Sequence, residues 1–330
     1  MKVLFIGGTG IISSGCVQLA VERQLDLTVF NRGATSIRPL PPQVKVIHGD
    51  IRDTSQAATL LSELTFDVVV DFISYTTDQL AQSISLFENK VSQYVFISSV
   101  AAYHKPALQL PITESAPLYN PWWKYAQNKI ACEEFLVNKY RQTKFPFTIV
   151  RPAHTYDRTM IPCFGGWTVI DRMRRGKPVI VHGDGSSLWV LTHHTDVARG
   201  ILGLLGNSHA IADNFHITSD LVNNWNHIFE LLGKAAGAEP KLVHIPTDVI
   251  AAYHKEWGDS LRGDLGHSAM YDNAKIKRVV PDFHCKVPFS KGAYEIIDWY
   301  DAHPAQQVVD PAIDSLFDRM IDNMQKALPH

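Results

Sequence analysis

The chain has 330 residues, 45% hydrophobic and 19% charged, and its 31 basic and 33 acidic residues leave a formal charge of −2. This excludes a disordered or fibrous chain and supplies apolar mass for one large domain or two that share a core. It also excludes a global field that would draw the chain to nucleic acid or an anionic membrane, so a small-molecule partner is expected. No segment approaches the roughly 18 consecutive apolar residues of a membrane span. Met1 to Ile6 runs directly into glycines without the features of a secretion signal, so a cytoplasmic location is expected. Cys16, Cys132, Cys163 and Cys285 form no CxxC pair and read as ordinary buried thiols.

In the first half, Lys2 to Ile6, Leu27 to Phe30, Val44 to His48, Asp67 to Phe72, Tyr94 to Ser98 and Phe147 to Val150 are apolar nearly throughout. Strands buried on both faces of a parallel sheet have this composition. Between them Gly15 to Gln24, Gln56 to Leu64, Asp78 to Asn89 and Lys124 to Tyr140 have helical length and spacing. The alternation predicts right-handed crossovers and an α/β, Rossmann-type doubly wound parallel sheet. After Arg151-Pro152 the texture changes to glycine and proline loops, with helices predicted over Asn224 to Ala236, Thr247 to Trp257 and Ala312 to Ala327. We therefore expect a dinucleotide-binding domain of residues 1–155, joined by about 190–220. A smaller C-terminal substrate-binding lobe would take 156–189 and 221–330.

The first predicted strand is followed by Gly7-Gly8-Thr9-Gly10-Ile11-Ile12-Ser13 and then a helix. Gly7 and Gly10 permit a tight turn in which backbone N–H groups meet a pyrophosphate at a helix N-terminus. Ser13 takes the place of a third glycine. Gly7, Gly10, Ile11 and Ile12 are thus candidate cofactor contacts. After the second strand stand Asn31 and Arg32, where a carboxylate would hold the ribose 2′-hydroxyl of NAD. A missing acid beside an added cation favours NADP over NAD. Asp50, with Ile51, follows the third strand and offers an acceptor to the adenine amino group.

Ser99 stands at the end of the fifth predicted strand, and Tyr125 and Lys129 lie four apart on a helix, so they share a face. A nearby ammonium would stabilise the phenolate and lower the phenol's pKa, while the serine hydroxyl holds the reacting oxygen. Together they would shuttle a proton while a nicotinamide takes or gives hydride. Glycine loop, strand-end serine and Tyr-x-x-x-Lys in this order resemble the extended short-chain dehydrogenase/reductase superfamily, its NAD-dependent epimerase/dehydratase family. The resemblance runs from Met1 to about Leu232 and includes Thr113-Glu114, Pro117, Arg151 to Tyr156, Gly183-Asp184-Gly185, His193 and Asp196. It implies catalysis by Ser99, Tyr125 and Lys129, cofactor contacts from Tyr125, Lys129, Pro152 and His154, and a homodimer through the helix bearing Tyr125. The candidate substrate contacts are Tyr75, Ser99, Val100, His154 and Trp189.

The departures from the family pattern matter. Val100-Ala101 follows Ser99 where 4,6-dehydratases carry an acidic pair, which argues against that dehydration. Ser186-Ser187-Leu188-Trp189 stands where nucleotide-sugar enzymes place an arginine for the diphosphate; Arg262 or the cluster of Arg172, Arg174 and Arg175 is left to compensate. His154 and His104 replace Asn and Gly. The second half, around Asp213 to Ser219 and Trp225 to Ala236, is also similar to a divergent subgroup that contains chloroplast stem-loop RNA-binding proteins. The expected activity is epimerisation or oxidoreduction of a sugar-like alcohol or ketone, with no nucleic-acid partner. The alternative is a nucleotide-sensing or RNA-binding protein on the same fold.

No metal site is expected, because His193 and His194, adjacent on a strand, would point to opposite faces and three-ligand spacing is absent. Trp122 and Trp123 either wall a sugar face or pack the start of a helix. Arg172, Arg174 and Arg175 read as a solvated helix end.

Overall fold

In the computed structural model, which describes residues 1–34 and 37–327, the six apolar runs form β1 (Lys2–Ile6), β2 (Asp26–Asn31), β3 (Lys45–His48), β4 (Val68–Asp71), β5 (Gln93–Ile97) and β6 (Phe147–Pro152). Helices α1 (Ile11–Glu22), α2 (Thr54–Leu61), α3 (Thr77–Ser85) and α4 (Lys124–Thr143) alternate with them. Helix α1 starts earlier than the expected Gly15, because Gly10 N–H donates to Ser13 Oγ at 2.9 Å and closes the first turn directly on the glycine loop.

The chain continues through β7 (His154–Tyr156), α5 (Trp167–Arg174), β8 (Pro178–His182), β9 (Leu188–Trp189), β10 (Leu191–His193), α6 (His194–Leu204) and β11 (Asp213–Ile217). There follow β12 (Asn223–Asn224), α7 (Trp225–Ala235), β13 (Lys241–Ile245), α8 (Thr247–Tyr253), α9 (Lys255–Ser260), a π-helical turn (Leu261–Leu265), α10 (Ala274–Val279), α11 (Phe289–Ala302) and α12 (Pro311–Ala327). The helix predicted over Thr247 to Trp257 is two helices. His254 is extended (φ −145°, ψ 98°) and its ring accepts from Trp257 N–H, so it ends one helix and caps the next.

Strand β11 pairs with β6 and completes a seven-stranded parallel sheet of order β11-β6-β5-β4-β1-β2-β3. The winding direction reverses between β1 and β4, and in such sheets ligands bind in the crevice beyond the strand ends at that point. Alternate residues of β1 feed opposite faces: Val3 and Phe5 join the core against α1 and α6, whereas Leu4 and Ile6 join the one beneath α2, α3 and α4. A third core, with Trp189, Trp225, Phe289 and Phe317, unites elements that follow β6 with Val100, Tyr103 and Ile112 from the stretch between β5 and α4. The described helices include none long and apolar enough to cross a membrane.

Candidate active site

Gly7 lies at φ +85°, and a Cβ there would sit 2.7 Å from Ile73 Cγ2, so only glycine fits. Its N–H donates to Phe30 O at 2.9 Å and ties the loop to β2. Ile11 and Ile12 open α1, where backbone N–H groups lack intrahelical acceptors and carry the positive end of the helix dipole. This cradle fits a dinucleotide pyrophosphate. At the end of β2, Asn31 Oδ1 accepts from Gly33 N–H at 3.0 Å, and Arg32 is exposed beside it. Asp50 Oδ1 accepts from Arg52 N–H at 3.0 Å, whereas Ile51 is buried in the core with Phe30, Ala57 and Leu61.

Beyond the loop lies a cleft of about 590 Å³ that gathers Gly10, Ile11, Ile12, Tyr75, Ser99, Val100, Tyr125, Lys129, Pro152, His154 and Trp189. Gly7, Asn31, Arg32, Asp50 and Ile51 stand outside it. The cleft also takes Trp123, whose ring centroid is 4.9 Å from that of Tyr125, and Asp264 from the π-helical turn. Trp122 faces away, exposed under the guanidinium of Arg262, so only the second tryptophan of the pair is a wall of the site. Asn120 positions that wall: its Oδ1 accepts from Trp123 N–H, and its Nδ2 donates to Ala101 O at 3.1 Å and Gly263 O at 2.6 Å. Sequence reasoning missed Asn120 and Asp264: Asn120 leaves one local signal, an Asn-Pro turn just ahead of Trp123, while its other partners and Lys105, the ion-pair partner of Asp264, are far away in the chain.

Lys129 is buried, and its ammonium donates to Ser74 O at 2.9 Å and Ile97 O at 2.7 Å while lying 5.9 Å from the Tyr125 ring centroid. Burial pushes its pKa down to about 8. The Tyr125 phenol is pushed up to about 12, chiefly by burial, with a hydrogen bond to Ser99 acting the other way. This corrects the expectation of a lysine-lowered phenol. The ammonium is engaged by two carbonyls, and desolvation outweighs what stabilises the phenolate.

Helix α4 is held in register by buried charge. Ser98 Oγ donates to Glu133 Oε1 at 2.5 Å, and Arg151 donates to the same carboxylate from Nε at 2.9 Å and Nη2 at 2.5 Å. Glu133 lies one turn beyond Lys129, so this pair fixes where Tyr125 and Lys129 point.

Three further expectations are corrected. His193 ends β10 and His194 begins α6, so the rings do not point apart but meet edge to face with centroids 4.7 Å apart. Arg172 is fully buried and paired with Asp314 and Asp318, so it fastens α5 to α12 rather than being solvated, whereas Arg174 and Arg175, paired with Asp301 and Asp171, are exposed at the helix end as expected. Cys163 and Cys285 are only partly buried, and Cys163 borders the cleft. Among the described residues no group of three His, Cys, Asp or Glu side chains is placed to hold a metal ion.

A seven-stranded Rossmann-type sheet with a glycine loop at its switch point and a Ser, Tyr and Lys cleft beside it defines a dinucleotide-binding protein of the short-chain dehydrogenase/reductase type. Residues 3–218 match the NAD dependent epimerase/dehydratase family, and the chain belongs to it. Among curated relatives it is 27% identical over 256 residues to the chloroplast stem-loop binding protein of 41 kDa b of Arabidopsis thaliana, covering 74% of this chain and 65% of that protein. It is 24% identical to the 2′-dehydrokanamycin reductase of Streptomyces kanamyceticus, covering 86% of this chain and 80% of that protein. The structure of UDP-glucose 4-epimerase from Thermotoga maritima with UDP-glucose shares the fold at a TM-score of 0.74 and 19% identity, over 92% of this chain and 99% of that one.

Proposed function

We propose that this protein is an NAD(P)-dependent epimerase or oxidoreductase acting on a sugar or sugar-like alcohol or ketone, with NADP favoured over NAD. The observation that carries this reading is the convergence of Ser99, Tyr125 and Lys129 on one cleft with the N-terminus of α1. A bound dinucleotide supplies hydride chemistry. Around it Ser99 holds the substrate oxygen and Tyr125 gives it or takes from it a proton. Lys129 would hold the nicotinamide ribose, and its ammonium, 5.9 Å from the Tyr125 ring centroid, favours the phenolate without overcoming the cost of burying it. The exposed Arg32, beside an Asn31 that closes its own turn, supports recognition of a 2′-phosphate.

Among the described residues the cleft is lined by no arginine, and its charged groups are Lys129 and Asp264. Arg262 is paired with Asp248, and the Arg172 cluster with its own aspartates. This favours a sugar without a nucleoside diphosphate. The charge of −2 favours a small molecule over nucleic acid, and the family resemblance favours a homodimer through α4. A thermal-shift screen in saturating NADP⁺ tests the substrate class: free sugars and sugar alcohols should stabilise the protein more than UDP-glucose or dTDP-glucose. Stronger stabilisation by the nucleotide sugars would overturn it.

A further inference from the structure

Trp189 occupies a more constrained place than an apolar wall requires. Its backbone pairs with Asn223 of β12, its side chain is buried, and its ring stacks on Trp225 with centroids 5.5 Å apart and planes at 28°. Trp225 is itself pinned: its Nε1–H donates to Leu265 O at 3.1 Å, and His182 lies edge-on to it at 4.7 Å with Nε2 3.0 Å from the same carbonyl. Held in this way, Trp189 donates from Nε1 to Nδ1 of His154 at 3.1 Å. An indole nitrogen can only donate, so Nδ1 of His154 must be the bare acceptor and a neutral ring carries its proton on Nε2. The ring lines the cleft with Ser99 and Tyr125, and among the described residues no protein group accepts from Nε2.

We propose that Trp189 is a positioning residue that fixes His154 as a neutral Nε2–H donor, aimed at an uncharged acceptor oxygen of the ligand in the cleft. That oxygen belongs either to the substrate, as a carbonyl or hydroxyl, or to the carboxamide of the nicotinamide. The proposal rests on the reading of this cleft as a hydride-transfer site. Burial opposes protonation of the ring and pushes its pKa down to about 4. The titratable groups that share its surroundings are Asp264 on the π-helical turn, backed by Lys105 at 2.7 Å, Tyr125 and Lys129 on α4, Tyr75 and Cys163 on the cleft-lining loops, and His182 on β8 behind the tryptophan stack.

The test is a two-bond nitrogen–proton correlation spectrum of the full chain labelled with ¹⁵N-histidine, recorded from about pH 5 to about pH 9. His154 should show the pattern of a neutral ring protonated at Nε2 throughout. Trp189→Phe keeps an aromatic ring against Trp225 and removes the N–H; its His154 should lose the preference for the Nε2–H form and mix tautomers. A parent ring protonated at Nδ1 or charged near pH 7, or a tautomer unmoved in Trp189→Phe, overturns the proposal. Should that variant fail to fold, the parent spectrum alone decides. Saturation with NADP⁺ reads the acceptor: a shifted Nε2 resonance assigns it to the carboxamide, and an unshifted one to the substrate. Turnover by Tyr125→Phe tests the hydride-transfer reading separately, so the two can fail independently.

Discussion

Glu133→Gln is the sharpest probe of how the site is held, because it preserves shape and removes one charge. The carboxylate receives Ser98 Oγ at 2.5 Å and Arg151 at 2.5, 2.9 and 3.2 Å, and both partners of the ion pair are almost wholly buried. An amide keeps one acceptor oxygen but leaves the guanidinium without a counter-ion; breaking a buried pair from one side costs about 3–5 kcal/mol. Two contacts survive, Arg151 Nη1 to Glu114 O at 3.3 Å and the guanidinium 4.8 Å above the Tyr103 ring, and they place the expected loss near the lower end, about 3 kcal/mol. With a urea dependence of about 3 kcal/mol per molar, the unfolding midpoint should fall by about 1 M. Tryptophan fluorescence in urea measures it. The pair Glu133→Leu with Arg151→Met should recover most of the loss, since no lone charge is left behind. A midpoint shift under about 0.3 M for the single variant would refute the idea that this ion pair anchors α4.

Other outcomes follow from the site and the buried histidines. Tyr125→Phe should lower turnover by about 10²–10⁴-fold while NADP⁺ affinity changes little, and unchanged turnover with a confirmed substrate would remove the proton-transfer role. Arg32→Ala should weaken NADP⁺ binding about tenfold, or about 1.4 kcal/mol, and leave NAD⁺ nearly untouched; calorimetric titration of both dinucleotides checks this, and tighter NAD⁺ binding by the parent would reject the cofactor preference. Burial holds His182 and His216 down to about 4, so the folded chain binds protons there less readily than the unfolded chain. Their contribution to stability is therefore complete above about pH 6.5 and lost as pH falls toward 4, roughly 2 kcal/mol each between pH 7 and pH 5. Urea midpoints at the two pH values should show this, with a shallower dependence in His216→Gln; a flat profile would contradict it.

Five of the six strands nearest the amino terminus were legible because both faces of each are covered, which leaves apolar runs with little alternation, whereas β3 at the sheet edge is largely exposed and showed itself by Val46 and Ile47 alone. Strand β11 hid behind Asp213, Asn214 and His216: it lies at the sheet edge, where Lys275 donates to Asp213 and to Asn214 O and Glu114 approaches His216. Those polar residues read as loop until their partners arrive from other parts of the chain. In the site, Tyr125 and Lys129 declared themselves by a local spacing of four. The bond from Trp189 to His154 joins residues 35 apart, and Asp264 reaches the cleft from a π-helical turn. Their roles depend on tertiary placement alone. The phenol's direction of shift failed for a related reason: the two carbonyls that engage Lys129 come from the loop after β4 and the last residue of β5, and neither is visible in the spacing.

The outermost place of β11 has a consequence for synthesis. Strand β6 is complete at Pro152, but its neighbour begins only at Asp213, about sixty residues later. At a ribosomal rate of about 5–20 residues per second, the nascent sheet carries an unpaired parallel edge for roughly 3–12 s. The residues exposed along it, Phe147 to Pro152, are those a second nascent chain could pair with. A fragment ending near residue 155 would hold that edge open permanently. It should therefore aggregate, whereas a chain carried through Ile217 closes its own sheet.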